Sequence, residues 1–292
     1  MKNSLSRNIF VVCNTIILLL IGFCSVAPIW HVFCASVSDP SQLLAYNGLL
    51  LKPLGNINFE GYRMALKNGS ILKGYINTLI YVTASTTLGL AGSIVTAYAL
   101  SRKDFMWKSQ VTFLLAFTML FNGGLIPTYL LVRNLKLLNT VWAIILPNCL
   151  SVYNIMILKT SFSSLPDGLV DAARIDGAGH FKTITSVVVP CSKGILSVIG
   201  LFYVVQNWNS WFHTAIYVTE RKLYPLQLLL REIVIMNSKS GLELAGENGE
   251  LSLSRELVKY AVIVISILPM MIVYPFIQRY FVSGVMLGSI KE

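Results

Sequence analysis

The sequence is poor in charge. Only 12% of its 292 residues are Asp, Glu, Lys or Arg, while 55% are hydrophobic. A soluble domain carries about 25% charged residues, so the shortfall argues against an ordinary water-soluble domain and points to lipid as the solvent. Six windows hold no charged residue: Ile9–Ser36, Tyr75–Ser101, Ser109–Val132, Leu137–Leu158, Gly194–Thr219 and Tyr260–Gln278. Each reaches the roughly 17–20 residues that cross a ~30 Å hydrocarbon core as a helix. Lipid offers no partner to a free backbone amide, so helix is the expected form. The expectation is an all-α membrane protein with six transmembrane helices over about 9–36, 75–101, 109–132, 137–158, 194–219 and 260–278.

Other absences narrow the function. There is no Gly-x-x-x-x-Gly-Lys-Ser/Thr phosphate loop, so the chain cannot hydrolyse ATP by that route. No nucleophile, acid and base converge near one membrane face, so no catalytic residue and no enzyme is expected. The five cysteines form no Cys-x-x-Cys pair, and His31, His180 and His213 lie far apart, so neither a metal site nor a cofactor is expected. The spans contain no Asp, Glu, Lys or Arg. Proton relays usually need such groups, which argues against a proton-coupled carrier and leaves sodium coupling through backbone carbonyls open. The net charge of +10 comes from 23 Lys and Arg scattered over every loop. Basic flanks anchoring helices to headgroups explain them better than nucleic acid does.

The first window is nearly twice the length of a signal-peptide apolar region, so a retained first helix is expected. Six spans put both termini on one side. Lys and Arg counts on the two sides are nearly even, so the orientation rule is weak here. Val37–Gly74 is too polar to span and holds the turn signals Asp39-Pro40-Ser41 and Asn56-Ile57-Asn58. Pro225–Met236 is apolar but too short to span, and reads as an interfacial or re-entrant helix. Asn237–Ser254 reads as a loop. Pro28, Gly123-Gly124 with Pro127, Pro147, Pro269 and Pro275 interrupt spans. They are either packing kinks or broken helices around a path. Neutral polar residues also lie within the spans. Asn148, Asn154, Asn207, Asn209 and Trp208 are candidates for lining a sugar path, the alternatives being interhelical hydrogen bonds and aromatic anchoring.

One connection stands out, residues 164–190. Ser164 followed by Asp167, with Pro166 between, fits a capping box. A short helix should run from about Asp167 to Ile175. Asp176-Gly177 should end it, because Gly tolerates positive φ and Asp can cap the next helix. That second helix should begin near Gly179. The small residues Ala172, Ala173, Gly177 and Ala178 would let another surface approach closely.

The pattern Asp171-Ala172-Ala173-x-x-Asp176-Gly177-Ala178, followed by Ile184, Val187, Val189 and Pro190, resembles the EAA loop of importer-type ABC permeases. Asn122–Tyr129, Trp208-Asn-Ser-Trp211, Leu223–Leu228 and Gly284–Gly288 resemble the carbohydrate-uptake permeases related to the maltose permease, within them the branch that handles oligosaccharides from polysaccharide breakdown. The resemblance implies the importer-type permease fold as one domain over 1–292, in a bacterial cytoplasmic membrane, with both termini and the loop 164–190 cytoplasmic. It implies ABC ATPase subunits docking on Asp171, Ala172, Ala173, Asp176, Gly177, Ala178 and Pro190. It also implies a second, homologous permease and an extracytoplasmic solute-binding protein. The expected activity is carbohydrate import by alternating access; the alternative is a secondary carrier or channel for a small neutral solute acting without an ATPase. Two positions depart from the family pattern: Asp171 replaces the usual Glu, and Gly194 stands where a second proline often occurs.

Overall fold

The computed structural model describes residues 5–243 and 249–289. Among them there is no strand; helices joined by turns and short loops make up the described residues. Among the described residues three helices are long and apolar enough to cross a membrane: Arg7–Ser36 within α1 (Leu5–Ser36), α4 (Gly69–Ser101), and Glu256–Pro275 within α15 (Gly249–Ser289). Three bent helix pairs meet the same length and composition test when each pair is taken together. α5 (Lys108–Leu120) and α6 (Leu125–Asn134) meet at 114°. Val141–Asn148, made of α7 (Val141–Ile145) and a 3-10 turn, meets α8 (Val152–Ser163) at 47°. His180–Cys191 meets α12 (Lys193–Trp208) at 92°. With each pair taken as one span the total is six.

The breaks have local causes. Asn122 accepts the Gly124 amide at 2.9 Å, and Gly124 sits at φ +87, a conformation that suits glycine. Pro147 sits in the 3-10 turn Leu146–Asn148, and Ser151 restarts the helix by accepting the Asn154 amide on its side chain. Pro28, Pro269 and Pro275, by contrast, lie inside continuous helices. The helix in the fifth window is shorter than the expected 194–219: α12 stops at Trp208 before the short α13 (Phe212–Tyr217).

The described chain forms two compact units. The first, Met1–Ile71 with Leu230–Leu268, has a core of Cys34, Ala35, Leu43 and Leu50 with Leu54 and Tyr260 against it. His31 Nδ1 accepts the Leu50 amide at 3.0 Å. As the turn signals implied, Asp39 caps α2 (Pro40–Ala45) by accepting the Ser41 amide, and Asn58 accepts the Glu60 amide at 2.7 Å as α3 (Glu60–Lys67) begins.

The second unit, Leu72–Leu229 with Pro269–Glu292, has two cores. One joins α4, α8, the segment 184–188 and α12 through Tyr98, Leu100, Leu158, Phe162, Val188, Ile199 and Tyr203. The other gathers Tyr81, Val132, Ala143, Ile144, Tyr217 and Val218. The stretch expected to be short and interfacial opens a longer helix, α14 (Leu226–Glu243). Its first amide, that of Leu226, donates to the Thr78 hydroxyl at 2.9 Å. Of 237–254, expected to be loop, residues 237–243 continue that helix and 249–254 begin α15; 244–248 lie outside the described residues. Once a helix is nucleated, each added residue costs little.

Candidate coupling loop and cavity

The loop helix, α9, runs Asp167–Ile175 as its sequence implied. Asp167 sits in the first turn and Arg174 in the last, each favourable to the helix dipole. The capping box does not form. Ser164 Oγ donates back to the Ser161 carbonyl at 2.7 Å, and Pro166 occupies the cap position with no side-chain bond. A proline there already limits the backbone, and the hydroxyl is used by the preceding helix instead.

The C-terminus of α9 is a Schellman motif. The Gly177 amide donates to the Arg174 carbonyl at 3.0 Å, and the Ala178 amide donates to the Ala173 carbonyl at 2.9 Å. Gly177 has φ +75. Asp176 contributes through its backbone, donating to Ala172 O at 3.0 Å. It does not cap the next helix: α10 (His180–Thr183) begins after Gly179 with no side-chain cap.

Asp167, Val170 and Arg174 recur at helical spacing and define the face that α9 turns to its own chain. Val170 is 2% exposed. Lys103 pairs with Asp167 at 2.6 Å, and Arg174 pairs with Asp104 at 2.6 Å. The Arg174 hydrogen bond holds the Asp104 carboxyl below the usual carboxylate range, and the Lys103 bond does the same for Asp167. The opposite face carries Gly168 and Ala172, both exposed, and Ile175 at 86% exposure; Asp171 and Asp176 are exposed as well. Beyond the turn, Phe181 is 76% exposed.

After α10 the chain makes a π-turn, Ile184–Val188, then α11 (Val189–Cys191) with Pro190 near its start. π-turns often accompany functional sites. Ile184 and Val188 are locked into the core, Pro190 is exposed, and the Ser192 hydroxyl at the bend is buried with no partner among the described residues. Gly194 faces open space where a side chain would stand.

At the other end of α12, roughly 24 Å away at 1.5 Å per residue, lies a cavity of about 220 Å³. Asn148, Gln206, Asn207, Asn209, Ser210, Trp211 and His213 line it, with Ile144 and Phe212. Three of the five expected path residues are thus brought together, Asn148, Asn207 and Asn209. The other two are elsewhere. Trp208 is 3% exposed, with its ring edge to Tyr75, and Asn154 is 2% exposed in the packed start of α8. Asn207 Nδ2 donates to Tyr203 O at 2.8 Å and Asn209 Nδ2 to Val205 O at 2.9 Å, so both amides also serve their own helix. Ser210 and His213 are lining groups that the sequence alone does not mark. Only the end of α12 at Trp208 brings them there, and an unbroken span to 219 hides it. Among the described residues no group of His, Cys, Asp and Glu could hold a metal.

The family model for the binding-protein-dependent transport system inner membrane component matches residues 58–287. The chain is 34% identical over 274 residues to the polygalacturonan/rhamnogalacturonan transport system permease protein YtcP of Bacillus subtilis (strain 168), covering 94% of this chain and 95% of that one. It is 31% identical to Protein LplC of the same organism, over 100% of this chain and 98% of that one. Among solved structures, it superposes with a TM-score of 0.86 on a chain of a bacterial ABC transporter involved in the import of the acidic polysaccharide alginate. The identity there is 30%, over 96% of this chain and 99% of that one.

Proposed function

Because the chain belongs to the family of binding-protein-dependent transport system inner membrane components, we propose that it is the permease of an oligosaccharide importer driven by a separate ATPase. It is an ABC-type permease of the sugar-transporting kind, and its relatives are transport permeases rather than enzymes. In this reading the spans form one permease domain in the cytoplasmic membrane. The loop 164–190 faces the cytoplasm and docks in the ATPase through Asp171, Ala172, Ala173, Asp176, Gly177, Ala178 and Pro190. A second, homologous permease completes the path, and a solute-binding protein delivers the sugar from outside. Both termini are cytoplasmic; Lys2 and Glu292 lie outside the described residues.

One observation carries the reading. α12 and the bend before it connect a loop with an exposed face of small and apolar side chains to a cavity lined by carboxamides and an indole. Closure of the ATPase pulls the loop, and the bend at Ser192 converts that pull into opening on one side and closing on the other.

The substrate class is argued from charge. The outer loops 133–140 and 217–224 are tied through Asn139, which accepts from the Thr219 amide at 2.7 Å and hydroxyl at 2.9 Å. They carry Arg133, Lys136, Arg221 and Lys222 against a single acid, Glu220. A cationic mouth over a neutral cavity suits an acidic oligosaccharide, as do relatives named for polygalacturonan and alginate. The test is uptake of a labelled oligogalacturonide into proteoliposomes holding the assembled importer and its binding protein. Uptake should require ATP inside the ATPase compartment. Uptake that proceeds without ATP would assign the chain to secondary carriers.

A further inference from the structure

The proposed docking helix α9 is joined covalently to α8 on one side and to α10 on the other. It has no covalent link to α4. Yet the turn just after α4, Arg102-Lys103-Asp104, grips α9 at both ends. Lys103 holds Asp167 in its first turn, and Asp104 holds Arg174 in its last, both at 2.6 Å. The two carriers stand seven positions apart on the helix, roughly 10 Å at 1.5 Å per residue. Val170 is buried between them. A single attachment would leave α9 free to roll about its axis; two attachments and a buried side chain on one face fix its rotation as well as its position.

The order of charges sets the register. Reversing α9 on the turn would oppose Lys103 to Arg174 and Asp104 to Asp167. The turn is itself anchored. Arg102 is 9% exposed; its guanidinium donates to the Phe162 carbonyl at the end of α8 at 3.4 Å and lies 5.1 Å from the Tyr98 ring centre in α4. The grip therefore ends on a point that α4 and α8 share.

We infer that Lys103 and Asp104 are positioning residues that deliver movement of the docking helix to α4, giving the ATPase a second, non-covalent route into the membrane beside the covalent one through Pro190 and α12. The inference rests on the function proposed above. Exposed ion pairs add little to folding, so the four residues can be changed without loss of the fold. Covering of the loop by a docked partner raises their strength by excluding water.

The experiment uses the assembled importer in proteoliposomes, with a labelled oligogalacturonide as probe. Asp104→Arg and Arg174→Asp should each lower uptake per ATP hydrolysed by roughly five-fold or more, the usual lower bound of a coupling free energy, while hydrolysis continues. The exchange of both, D104R with R174D, should recover most of the loss. Unchanged uptake per ATP in the single variants, or no recovery in the exchange, overturns the grip. A second arm guards against poor assembly. In a chain cleared of its own cysteines, Lys103→Cys and Asp167→Cys are bridged by a short bifunctional maleimide. Bridging should raise uptake per ATP above the unbridged pair, because the two segments move together. A fall on bridging shows that they must part and overturns the grip. ATP-independent uptake by the unaltered importer would remove the proposed function and the grip with it. ATP-driven uptake indifferent to all these changes removes the grip alone.

Discussion

Gly177 is a residue whose role depends on backbone and open space together. Its φ of +75 is needed for the Schellman turn, and a Cβ built there would meet nothing within 4 Å among the described residues beyond its chain neighbours. A substitution is therefore penalised by conformation, about 1–2 kcal/mol for an L-residue in the left-handed region, and by whatever docks on that face. Gly177→Val should leave membrane insertion intact and reduce ATP-driven uptake, while Gly177→Asn, which tolerates the conformation, retains more of it. Membrane-fraction blots beside uptake assays check both; equal uptake in the two variants would remove the backbone argument. Tyr203 is the opposite kind of residue. It is fully buried, its hydroxyl lies 2.6 Å from Ser93 Oγ, and it accepts the Ser151 amide at 3.0 Å. Tyr203→Phe leaves the Ser151 amide unanswered and should cost about 1–3 kcal/mol, read as a lower melting temperature in detergent. Gly177 could be read from its neighbours, because an Asp-Gly pair after a helical stretch is a local signal. Tyr203 could not, since its partners lie 110 and 52 residues away in sequence.

Elements divide along the same line. α9 was legible to its end residues because its start and stop are coded locally by Pro166, Asp167 and Gly177. The grip on it was not, because Lys103 and Asp104 belong to a different connection and only the fold brings them near. Nor could hydropathy show which spans bend. A charge-free window satisfies the length rule whether or not a Gly-Gly or a proline breaks it, and Pro28 shows that a proline alone does not suffice. The ion pairs on α9 have a definite pH signature. Asp104 and Asp167 have native pKa values below their ordinary ones. Their contribution is complete above the ordinary carboxylate value and fades as the pH falls through the lower native one, so α9 should hold steady from neutrality down to about pH 4 and loosen below it. At neutral pH the same pairs are exposed and open to screening. Protection against hydrogen exchange over 167–175, taken relative to the intrinsic rate at each pH, should thus fall with added salt at pH 7 and stay flat in low salt between pH 7 and pH 5. Exchange indifferent to salt would mean that Val170, not the ion pairs, holds the helix.

At the scale of the molecule, lack of charge marks candidate spans, since it is a property of whole segments: three of the six windows fall in helices long enough to cross alone and three in bent pairs. It was not enough to find the cavity, which needs the ends of α7 and α12 to meet. It also did not predict the cluster of positive charge that forms once 133–140 and 217–224 are joined through Asn139. Four cations and one acid there should raise the local concentration of an anionic sugar and leave a neutral one unaffected. Replacing Arg133, Lys136 and Lys222 together by Gln removes most of that field without touching the cavity. The uptake rate of an oligogalacturonide presented on its saturated binding protein should then fall about tenfold, the low end of electrostatic steering, with a neutral arabinooligosaccharide little changed. In 1 M salt, where charges are screened beyond about 3 Å, the variant and the parent should converge. An equal loss for both sugars at every salt concentration would place the three residues in the packing of the outer loops or in docking of the binding protein, and the acidic-substrate reading would fall with the steering.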